Sequence, residues 1–239
     1  MNVIELKDLK KIYRETEVEV RAVNGIDLTV AKGEFTAIVG PSGSGKTTLL
    51  NLIGGLDTPT EGDVVVDGTA LSQLSSSQLI DFRLRNIGFV FQSYNLIPVL
   101  TAEENVEFIM HLQGVDKTKR RERAKNLLTS VGLGDRTNSR PSKLSGGQQQ
   151  RVAVARALAS HPKFVLADEP TANLDSKSTA TLLDIMLKLN KEEGVTFVFS
   201  THDQRVVQKA RRVITVEDGK VVSDVVAKNG RKEMADSPQ

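Results

Sequence analysis

The sequence predicts an α/β fold in which a mainly parallel sheet is joined to an antiparallel β subdomain and a helical insert. Four short apolar runs have the composition of strands that are buried on both faces. They are residues 35–39, 87–91, 164–167 and 196–199. Segments with helical patterning separate these runs, and they lie near 46–56, 145–160 and 176–193. Buried strands that alternate with helices are typical of a parallel sheet.

Residues 1–30 have a different pattern. Apolar and polar residues alternate over 18–23, beginning at Val18, and again over 26–30. A period of two is typical of antiparallel strands with one face in solvent. We therefore expect an antiparallel β subdomain before the first buried strand.

The segment 93–160 contains no strand-like run. Thr101 and Glu104 have the spacing of a capping box, so a helix is predicted to follow and to end near Gly114. A second helix is predicted over 116–131, which makes the segment a helical insert. The predicted division is a catalytic core of about 1–92 and 161–227, a helical subdomain of about 93–160 and a flexible tail of 228–239.

The composition excludes several classes of protein. The 239 residues fit one domain, and an apolar content of 39% is enough for a core. The absence of cysteine excludes disulfides, thiolate zinc sites and a thiol nucleophile. A net charge of +2 does not indicate nucleic acid as a partner. No stretch reaches the roughly 20 apolar residues that span a bilayer, and the first residues lack the apolar region of a signal peptide. We expect the chain to remain where it is made and to act on a membrane only through a partner.

A phosphate-binding loop is predicted directly after the strand 35–39. Its residues are Gly40, Pro41, Ser42, Gly43, Ser44, Gly45, Lys46 and Thr47, followed by Thr48. They match the pattern G-x-x-x-x-G-K-[ST] without a mismatch. Glycines let successive N–H groups point at anionic oxygens, and the following helix adds partial positive charge. We expect Lys46 to reach the β- and γ-phosphates of a nucleoside triphosphate and the Thr47 hydroxyl to bind Mg²⁺. A glycine- and serine-rich surface turn is the alternative.

Two adjacent carboxylates, Asp168 and Glu169, follow the buried strand 164–167. The carboxyl ends of parallel strands are where α/β sheets bind ligands. Neighbouring side chains on a strand point in opposite directions, so different roles are expected for the two. We expect Asp168 to support Mg²⁺ through water and Glu169 to polarise the water that attacks the γ-phosphate. Solvated acids at a strand end are the alternative.

A second candidate anion site lies at 144–148. Ser145 and Gln148 have capping-box spacing, so a helix is predicted to begin here. Gly146 and Gly147 each cost helix stability, roughly 1 kcal/mol relative to alanine. We infer that close access of a ligand to the backbone compensates, because free amides at a helix N-terminus bind anions. A capped helix without a ligand is the alternative.

The segment 144–148 reads LSGGQ and resembles the signature of ATP-binding-cassette (ABC) proteins without a departure. The resemblance extends from about Val3 to Asp224, with the family motifs in order. It implies the ABC ATPase fold, which is built on a P-loop, RecA-like core. It also implies a head-to-tail dimer of two copies, in which each ATP lies between the phosphate loop of one copy and the signature of the other.

The same resemblance implies roles for residues that are uninformative alone. Tyr13 matches the aromatic residue that stacks on adenine, and Gln92 matches the glutamine that contacts Mg²⁺ and the attacking water. Asp175 matches the loop that crosses the dimer interface, although it is equally suited to cap the next helix. His202 matches the histidine that contacts the γ-phosphate and holds Glu169 and the water in line.

Residues 55–62 and 91–98 resemble the branch that contains the macrolide-export, lipoprotein-release and cell-division ATPases of bacteria. This resemblance implies MgATP hydrolysis on the cytoplasmic face of the inner or plasma membrane, coupled to an integral-membrane permease and not to nucleic acid. Transmembrane signalling of the cell-division type is the alternative within the branch. A P-loop kinase or other phosphoryl transferase, and a non-transport cassette protein acting on DNA or ribosomes, are the alternatives outside it.

The run 117–125 contains six basic residues and one acidic residue. A solvated helix face is the simpler interpretation of such a run. A patch that faces anionic lipid or a permease loop is the alternative.

Overall fold

The computed structural model describes residues 1–14, 19–228 and 231–234, so Val18 lies outside the described residues. The strands are β1 (Asn2–Tyr13), β2 (Val20–Ala31), β3 (Phe35–Val39), β4 (Glu61–Val66), β5 (Thr69–Ala70), β6 (Ile87–Val90), β7 (Phe164–Asp168), β8 (Thr196–Ser200), β9 (Arg212–Glu217), β10 (Lys220–Lys228) and β11 (Arg231–Met234). The helices are α1 (Lys46–Ile53), α2 (Ser76–Asn86), α3 (Ala102–Leu112), α4 (Lys117–Ser130), α5 (Gly146–Leu158), α6 (Ser176–Glu193) and α7 (Gln204–Lys209).

The strands form two sheets. The larger sheet has the order β11-β10-β9-β3-β8-β7-β6, and its strands from β9 to β6 run parallel. The smaller sheet has the order β2-β1-β4-β5 and is antiparallel. The predicted α/β fold, with a parallel core and an antiparallel subdomain, is confirmed.

The parallel strands are buried on both faces because each face of the sheet has its own apolar core. In β7, Val165 and Ala167 pack into the core that contains the helical insert. Phe164 and Leu166 alternate with them and pack into the core beneath α1 and the antiparallel sheet. All four side chains are at most 2% exposed. This two-sided burial explains why the strand is a continuous apolar run instead of an alternating one.

The helical insert lies between β6 and β7. Thr101 and Glu104 form the predicted capping box at the start of α3. Asp116 caps α4 by accepting hydrogen bonds from the backbone N–H groups of Thr118 and Lys119. Both helices pack against α5, so the insert is joined to the core through the helix that follows the second candidate anion site.

The basic run 117–125 lies on α4 and its charges are partly engaged within the insert. Arg120 and Arg121 form ion pairs of 3.0 Å with Glu107 and Glu103 of α3. Arg123 donates to the carbonyl oxygen of Leu158. Three of the six basic residues therefore have partners inside the protein, which weakens the interpretation of the run as a lipid-facing patch.

Several elements differ from the sequence prediction. The helix predicted over 46–56 ends at Ile53, because the next two residues, Gly54 and Gly55, form a turn. Residues 228–239 were expected to form a flexible tail, whereas β11 pairs with β10 in antiparallel register. Elements without a sequence prediction are β4, β5, α2, α7, β9 and β10.

Candidate active site

The phosphate-binding loop connects the carboxyl end of β3 to the N-terminus of α1, as predicted. Lys46 is 9% exposed, and its ammonium donates to the carbonyl oxygens of Gly40 at 2.9 Å and Pro41 at 2.7 Å. The lysine charge is therefore held inside the curl of the loop, where it reinforces the partial positive charge of the helix N-terminus.

Two glycines in the loop are required by close backbone contacts. Gly40 and Gly45 have φ angles of 153° and 99°, which side chains rarely allow. A Cβ atom at Gly40 would lie 2.0 Å from the carbonyl oxygen of Val216, and one at Gly45 would lie 2.0 Å from that of Ala22. The loop is thus pressed against β9 on one side and β2 on the other, and both contacts fix its curvature.

Thr47 and Asp168 meet at the edge of this loop. The Thr47 hydroxyl donates to both carboxylate oxygens of Asp168, at 3.2 and 3.1 Å. A hydroxyl and a carboxylate are the oxygen donors that Mg²⁺ prefers. Within the described residues, no group of three or more His, Cys, Asp or Glu side chains is close enough to hold a metal. This donor set fits Mg²⁺, which usually takes one or two carboxylates together with water and substrate phosphates.

Glu169 points away from Asp168 toward the loop after β8. Its φ angle is 46°, in the left-handed region that non-glycine residues seldom adopt. Glu169 Oε1 and His202 Nδ1 share a hydrogen bond of 2.8 Å. Glu169 Oε2 is buried and has no hydrogen-bond partner among the described residues. The geometry agrees with different roles for the two carboxylates, because Asp168 faces Thr47 and Glu169 faces His202.

A pocket of about 990 Å³ brings most of the predicted site residues together. The predicted residues that line it are Tyr13, Gly40, Ser42, Gly43, Gly45, Lys46, Thr47, Thr48, Gln92, Glu169 and His202. It is also lined by residues without a sequence signal, namely Val20, Arg21, Ala22, Ala172, Ser200, Asp218 and Gly219. These residues lie at the ends of strands and in turns, and only the tertiary fold brings them close to one another.

Tyr13 lies at one end of this pocket, where its hydroxyl donates to Asp57 Oδ2 at 2.9 Å. The Lys11 ammonium is 2.6 Å from Asp57 Oδ1 and 5.0 Å from the centre of the tyrosine ring. Burial, followed by the hydrogen bond to Asp57, raises the pKa of Tyr13. Burial acts to raise the pKa of Asp57, but hydrogen bonds from Lys11 and Tyr13 outweigh it, so that pKa is lowered. The tyrosine ring is therefore held by a charged network that the sequence did not reveal.

The second candidate anion site is separate from this pocket. Ser145 caps α5 and forms the predicted capping box with Gln148. None of residues 145–148 lines the pocket described above. Ser145 is exposed, so the N-terminus of α5 is accessible from outside the chain.

The two glycines after Ser145 also have a reason within the chain. A Cβ atom at Gly146 would lie 2.7 Å from the Tyr94 hydroxyl, and one at Gly147 would lie 2.7 Å from Ser178 Oγ. The inference that these glycines give a ligand access to the backbone is therefore incomplete, since packing against the loop after β6 and against the first turn of α6 also requires them.

Asp175 caps α6 by accepting hydrogen bonds from the backbone N–H groups of Lys177 and Ser178, both at 2.9 Å. Among the described residues it does not line the pocket. The helix-capping role that was left open for this residue is thus present.

A family model described as ABC transporter matches residues 23–172, which carry the phosphate-binding loop, the signature segment and both carboxylates. The chain belongs to the ABC transporter family. As an ABC cassette it is an ATPase, and the predicted family and enzyme class are confirmed.

Individual relatives support this ABC ATPase assignment along the whole chain. An uncharacterized ABC transporter ATP-binding protein of Thermotoga maritima is 51% identical over 219 residues, which are 92% of this chain and 93% of that protein. The macrolide export ATP-binding/permease protein MacB of Hyphomonas neptunium is 47% identical over 239 residues. The latter alignment covers 99% of this chain but 36% of MacB, so this ABC ATPase spans about a third of that relative.

Solved structures also resemble this ABC ATPase. The ATP-binding cassette MJ0796, solved as a dimer in a post-hydrolysis state with ADP and phosphate, has a TM-score of 0.86 and 43% identity. The match covers 95% of this chain and 99% of that one. Over the described part of this chain, no helix combines the length and apolar character that crossing a bilayer requires.

Proposed function

We propose that this ABC ATPase hydrolyses MgATP at two composite sites in a head-to-tail homodimer, and that closure of the dimer drives a membrane permease of the macrolide-export or lipoprotein-release type. One observation is the main support for the dimer. The chain gathers the phosphate loop and Glu169 around one pocket, whereas the capped and accessible N-terminus at Ser145 is outside that pocket. A second copy that presents Ser145 to the pocket would complete the site.

The predicted site residues in and beside the pocket have proposed tasks. The amides of the phosphate loop and the Lys46 ammonium bind the β- and γ-phosphates, and Tyr13 stacks on the adenine. Thr47 and Asp168 would hold Mg²⁺ together with Gln92. The ion compensates charge on the phosphate oxygens.

Hydrolysis depends on Glu169 and His202. A water oxygen forms a bond to the γ-phosphorus while the bond from that phosphorus to the β–γ bridging oxygen breaks. The proton of the water passes to the Glu169 carboxylate. His202 holds Glu169 through Oε1 and orients it toward the water. A general base of this kind contributes roughly 10²–10⁴-fold in rate.

The partner copy supplies the rest of the composite site. Its Ser145, Gly146, Gly147 and Gln148 are proposed to bind the γ-phosphate through the N-terminal amides of α5. Asp175 is proposed to lie at the dimer interface while it caps α6. The dimeric state of the MJ0796 cassette supports this arrangement.

Gel filtration of the Glu169→Gln variant tests this proposal. The amide cannot accept the proton, so ATP remains bound and the dimer should persist with saturating ATP and Mg²⁺ and dissociate without them. The double variant Lys46→Ala, Glu169→Gln is the control and should stay monomeric under both conditions. A Glu169→Gln variant that is monomeric with saturating ATP would contradict the proposal.

An apolar groove supports the permease as partner. It has a volume of about 480 Å³ and lies between α2, α3 and the loop after β6. Ile80 and Leu112 line it and are 58% and 55% exposed. Exposed apolar residues of this kind mark interaction surfaces. We propose that a short permease helix occupies the groove and so recruits this ATPase to the cytoplasmic face of the membrane, and relatives named as fused ATP-binding/permease proteins support that choice of partner.

A further inference from the structure

Arg156 on α5 binds two carbonyl groups of the loop that connects β6 to α3. Its guanidinium donates to the carbonyl oxygen of Tyr94 at 2.8 Å and to that of Asn95. Burial lowers the pKa of Arg156, and no neighbouring carboxylate offsets this effect among the described residues. The charge is therefore balanced by the two carbonyl dipoles, which makes both hydrogen bonds charge-assisted.

The two carbonyl groups belong to consecutive residues with unusual backbones. Tyr94 and Asn95 have φ angles of 59° and 49°, both in the left-handed region. Two adjacent non-glycine residues in this region are strained and persist only when their surroundings hold them. The Arg156 guanidinium is the group that bridges them.

The loop held in this way connects three parts of the composite site. Gln92 precedes the strained pair, and its carbonyl oxygen accepts a hydrogen bond of 3.1 Å from Asn173 Nδ2. The Tyr94 hydroxyl donates to the carbonyl oxygen of Asn173 at 3.5 Å and lies against Gly146 of α5. Gln92, the start of the signature helix and the loop before Asp175 thus converge on Tyr94.

We propose that Arg156 is a positioning residue for ATP hydrolysis. It fixes the Tyr94–Asn95 pair so that Gln92 and the N-terminus of α5 keep one relative geometry. This inference rests on the proposed composite site, in which Gln92 serves the nucleotide of its own copy and α5 serves the nucleotide of the partner. Loosening the loop should therefore slow the chemical step more than it weakens ATP binding.

The chain offers a matched control on the same helix. Arg151 is also partly buried and also binds two carbonyl oxygens, those of Val131 and Gly132, at 3.0 and 3.3 Å. Burial is the main influence on its pKa as well, and lowers it. Arg151 lies away from the Tyr94–Asn95 pair, so Arg151→Gln reproduces the loss of a buried guanidinium without loosening that loop.

Steady-state hydrolysis compares Arg156→Gln, Arg156→Lys and Arg151→Gln. We expect Arg156→Gln to lower kcat by about tenfold or more with KM for ATP changed by less than about threefold, because the loosened loop would misplace groups that act mainly in the transition state. Arg156→Lys retains the charge and one donor group, so its kcat should be intermediate. Arg151→Gln should keep kcat within about twofold of the unsubstituted chain even if its Tm falls.

A spin label reports on the loop directly. The chain has no cysteine, so Ser93→Cys provides a single labelling position beside Gln92. Arg156→Gln should increase the mobility of this label in the electron paramagnetic resonance spectrum, whereas Arg151→Gln should not. Equal label mobility and equal kcat in the two glutamine variants would overturn the inference.

The unsubstituted chain and Glu169→Gln separate this inference from the proposed function. If the chain hydrolyses ATP and Glu169→Gln dimerises with ATP, equal behaviour of Arg156→Gln and Arg151→Gln refutes only the role of Arg156. If neither occurs, the composite site fails and the inference fails with it.

Discussion

The backbone at Glu169 separates two carboxylates that are adjacent in sequence. Asp168 ends β7 and its side chain faces Thr47. The left-handed backbone at Glu169 directs the Glu169 side chain to His202. Regular strand geometry would already send the two side chains to opposite faces. The turn adds a second effect, because it keeps Glu169 Oε1 within 2.8 Å of His202 while Oε2 stays buried without a partner.

Substitution of Gly147 by alanine tests whether the signature glycines are needed for packing within the chain, for contact with the partner copy's nucleotide, or for both. A Cβ atom there would lie 2.7 Å from Ser178 Oγ and 2.8 Å from Ser178 Cβ. Gly147→Ala should therefore destabilise the chain by about 1–3 kcal/mol through overpacking, despite the better helix propensity of alanine. Urea unfolding of the variant and the unsubstituted chain measures this change.

Ser178→Gly is the compensating substitution, since it removes both atoms that the new methyl group would meet. The double variant Gly147→Ala, Ser178→Gly should recover most of the lost stability relative to Ser178→Gly alone. If it still fails to dimerise with ATP in the Glu169→Gln background, Gly147 also admits the γ-phosphate of the partner's nucleotide. A single variant Gly147→Ala as stable as the unsubstituted chain would show that the predicted overpacking is absent.

Sequence reasoning predicted those candidate site residues whose chemistry depends on neighbours in the chain. Lys46 and Thr47 occur in a local motif, and Asp168 and Glu169 end a recognisable strand. The bond between Tyr13 and Asp57 joins residues far apart in the chain, and the left-handed backbone at Glu169 has no local signature. Both depend on tertiary packing, so the sequence alone did not predict them.

Among the elements, α4 links stability to pH through the cap at Asp116. Hydrogen bonds from the backbone N–H groups of Lys119 and Thr118 lower the pKa of this carboxyl below its ordinary value of 3.8. Because the folded pKa is the lower one, the stabilisation is fully present above pH 3.8 and is lost as the pH falls through the folded value. We expect the free energy of unfolding to decrease in this acidic range.

Asp116→Asn separates the charge from the hydrogen bonds. Asparagine also caps helices, but it does not titrate in this range. The variant should be less stable than the unsubstituted chain at pH 7, and the difference should shrink as the pH falls below 3.8. Urea unfolding at pH 7, 4 and 3 gives the comparison, and a difference that stays constant with pH would refute the linkage.

The elements that the sequence predicted are those with a clear apolar period. Strands β3, β6, β7 and β8 are buried on both faces and stand out as apolar runs. Helix α2 has no fully buried residue, and its apolar residues Leu79 and Phe82 are only partly buried against the core, so its signal is weak. In β9, buried and partly exposed residues alternate because the strand lies near the edge of the sheet, which makes it a weak signal.

For the whole molecule, the apolar groove is the surface through which the proposed permease would act. Leu112→Glu places a charge among its apolar residues and should abolish permease binding. Val222, on β10, is 53% exposed, close to the 55% of Leu112, and does not line the groove. Val222→Glu is therefore a control for the added charge.

The measurement is co-purification from detergent-solubilised membranes with identification of the bound protein by mass spectrometry. We expect a multi-span membrane protein with the unsubstituted chain and with Val222→Glu, and none with Leu112→Glu. ATP hydrolysis by both isolated variants should remain within about twofold, because surface substitutions outside the pocket change little. Retention of the membrane protein by Leu112→Glu would exclude the groove as its docking site.

A composite site makes a further prediction about mixtures of two inactive chains. Lys46→Ala removes the phosphate-binding lysine but leaves the signature intact. Ser145→Glu places a negative charge where the γ-phosphate of the partner's nucleotide is expected, but leaves the phosphate loop intact. In a head-to-tail dimer of one chain of each kind, both lesions meet in one site, and the other site has a normal phosphate loop and a normal signature.

Mixing the two variants should therefore restore ATP hydrolysis that neither has alone. With equal amounts and random pairing, half of the dimers are mixed and each has one intact site of two, so the rate should reach about a quarter of that of the unsubstituted chain. A site built entirely within one chain predicts no gain, because each variant would keep its own lesion. Circular dichroism and Tm confirm that both chains are folded, and a mixture no more active than the sum of its components would contradict the shared site.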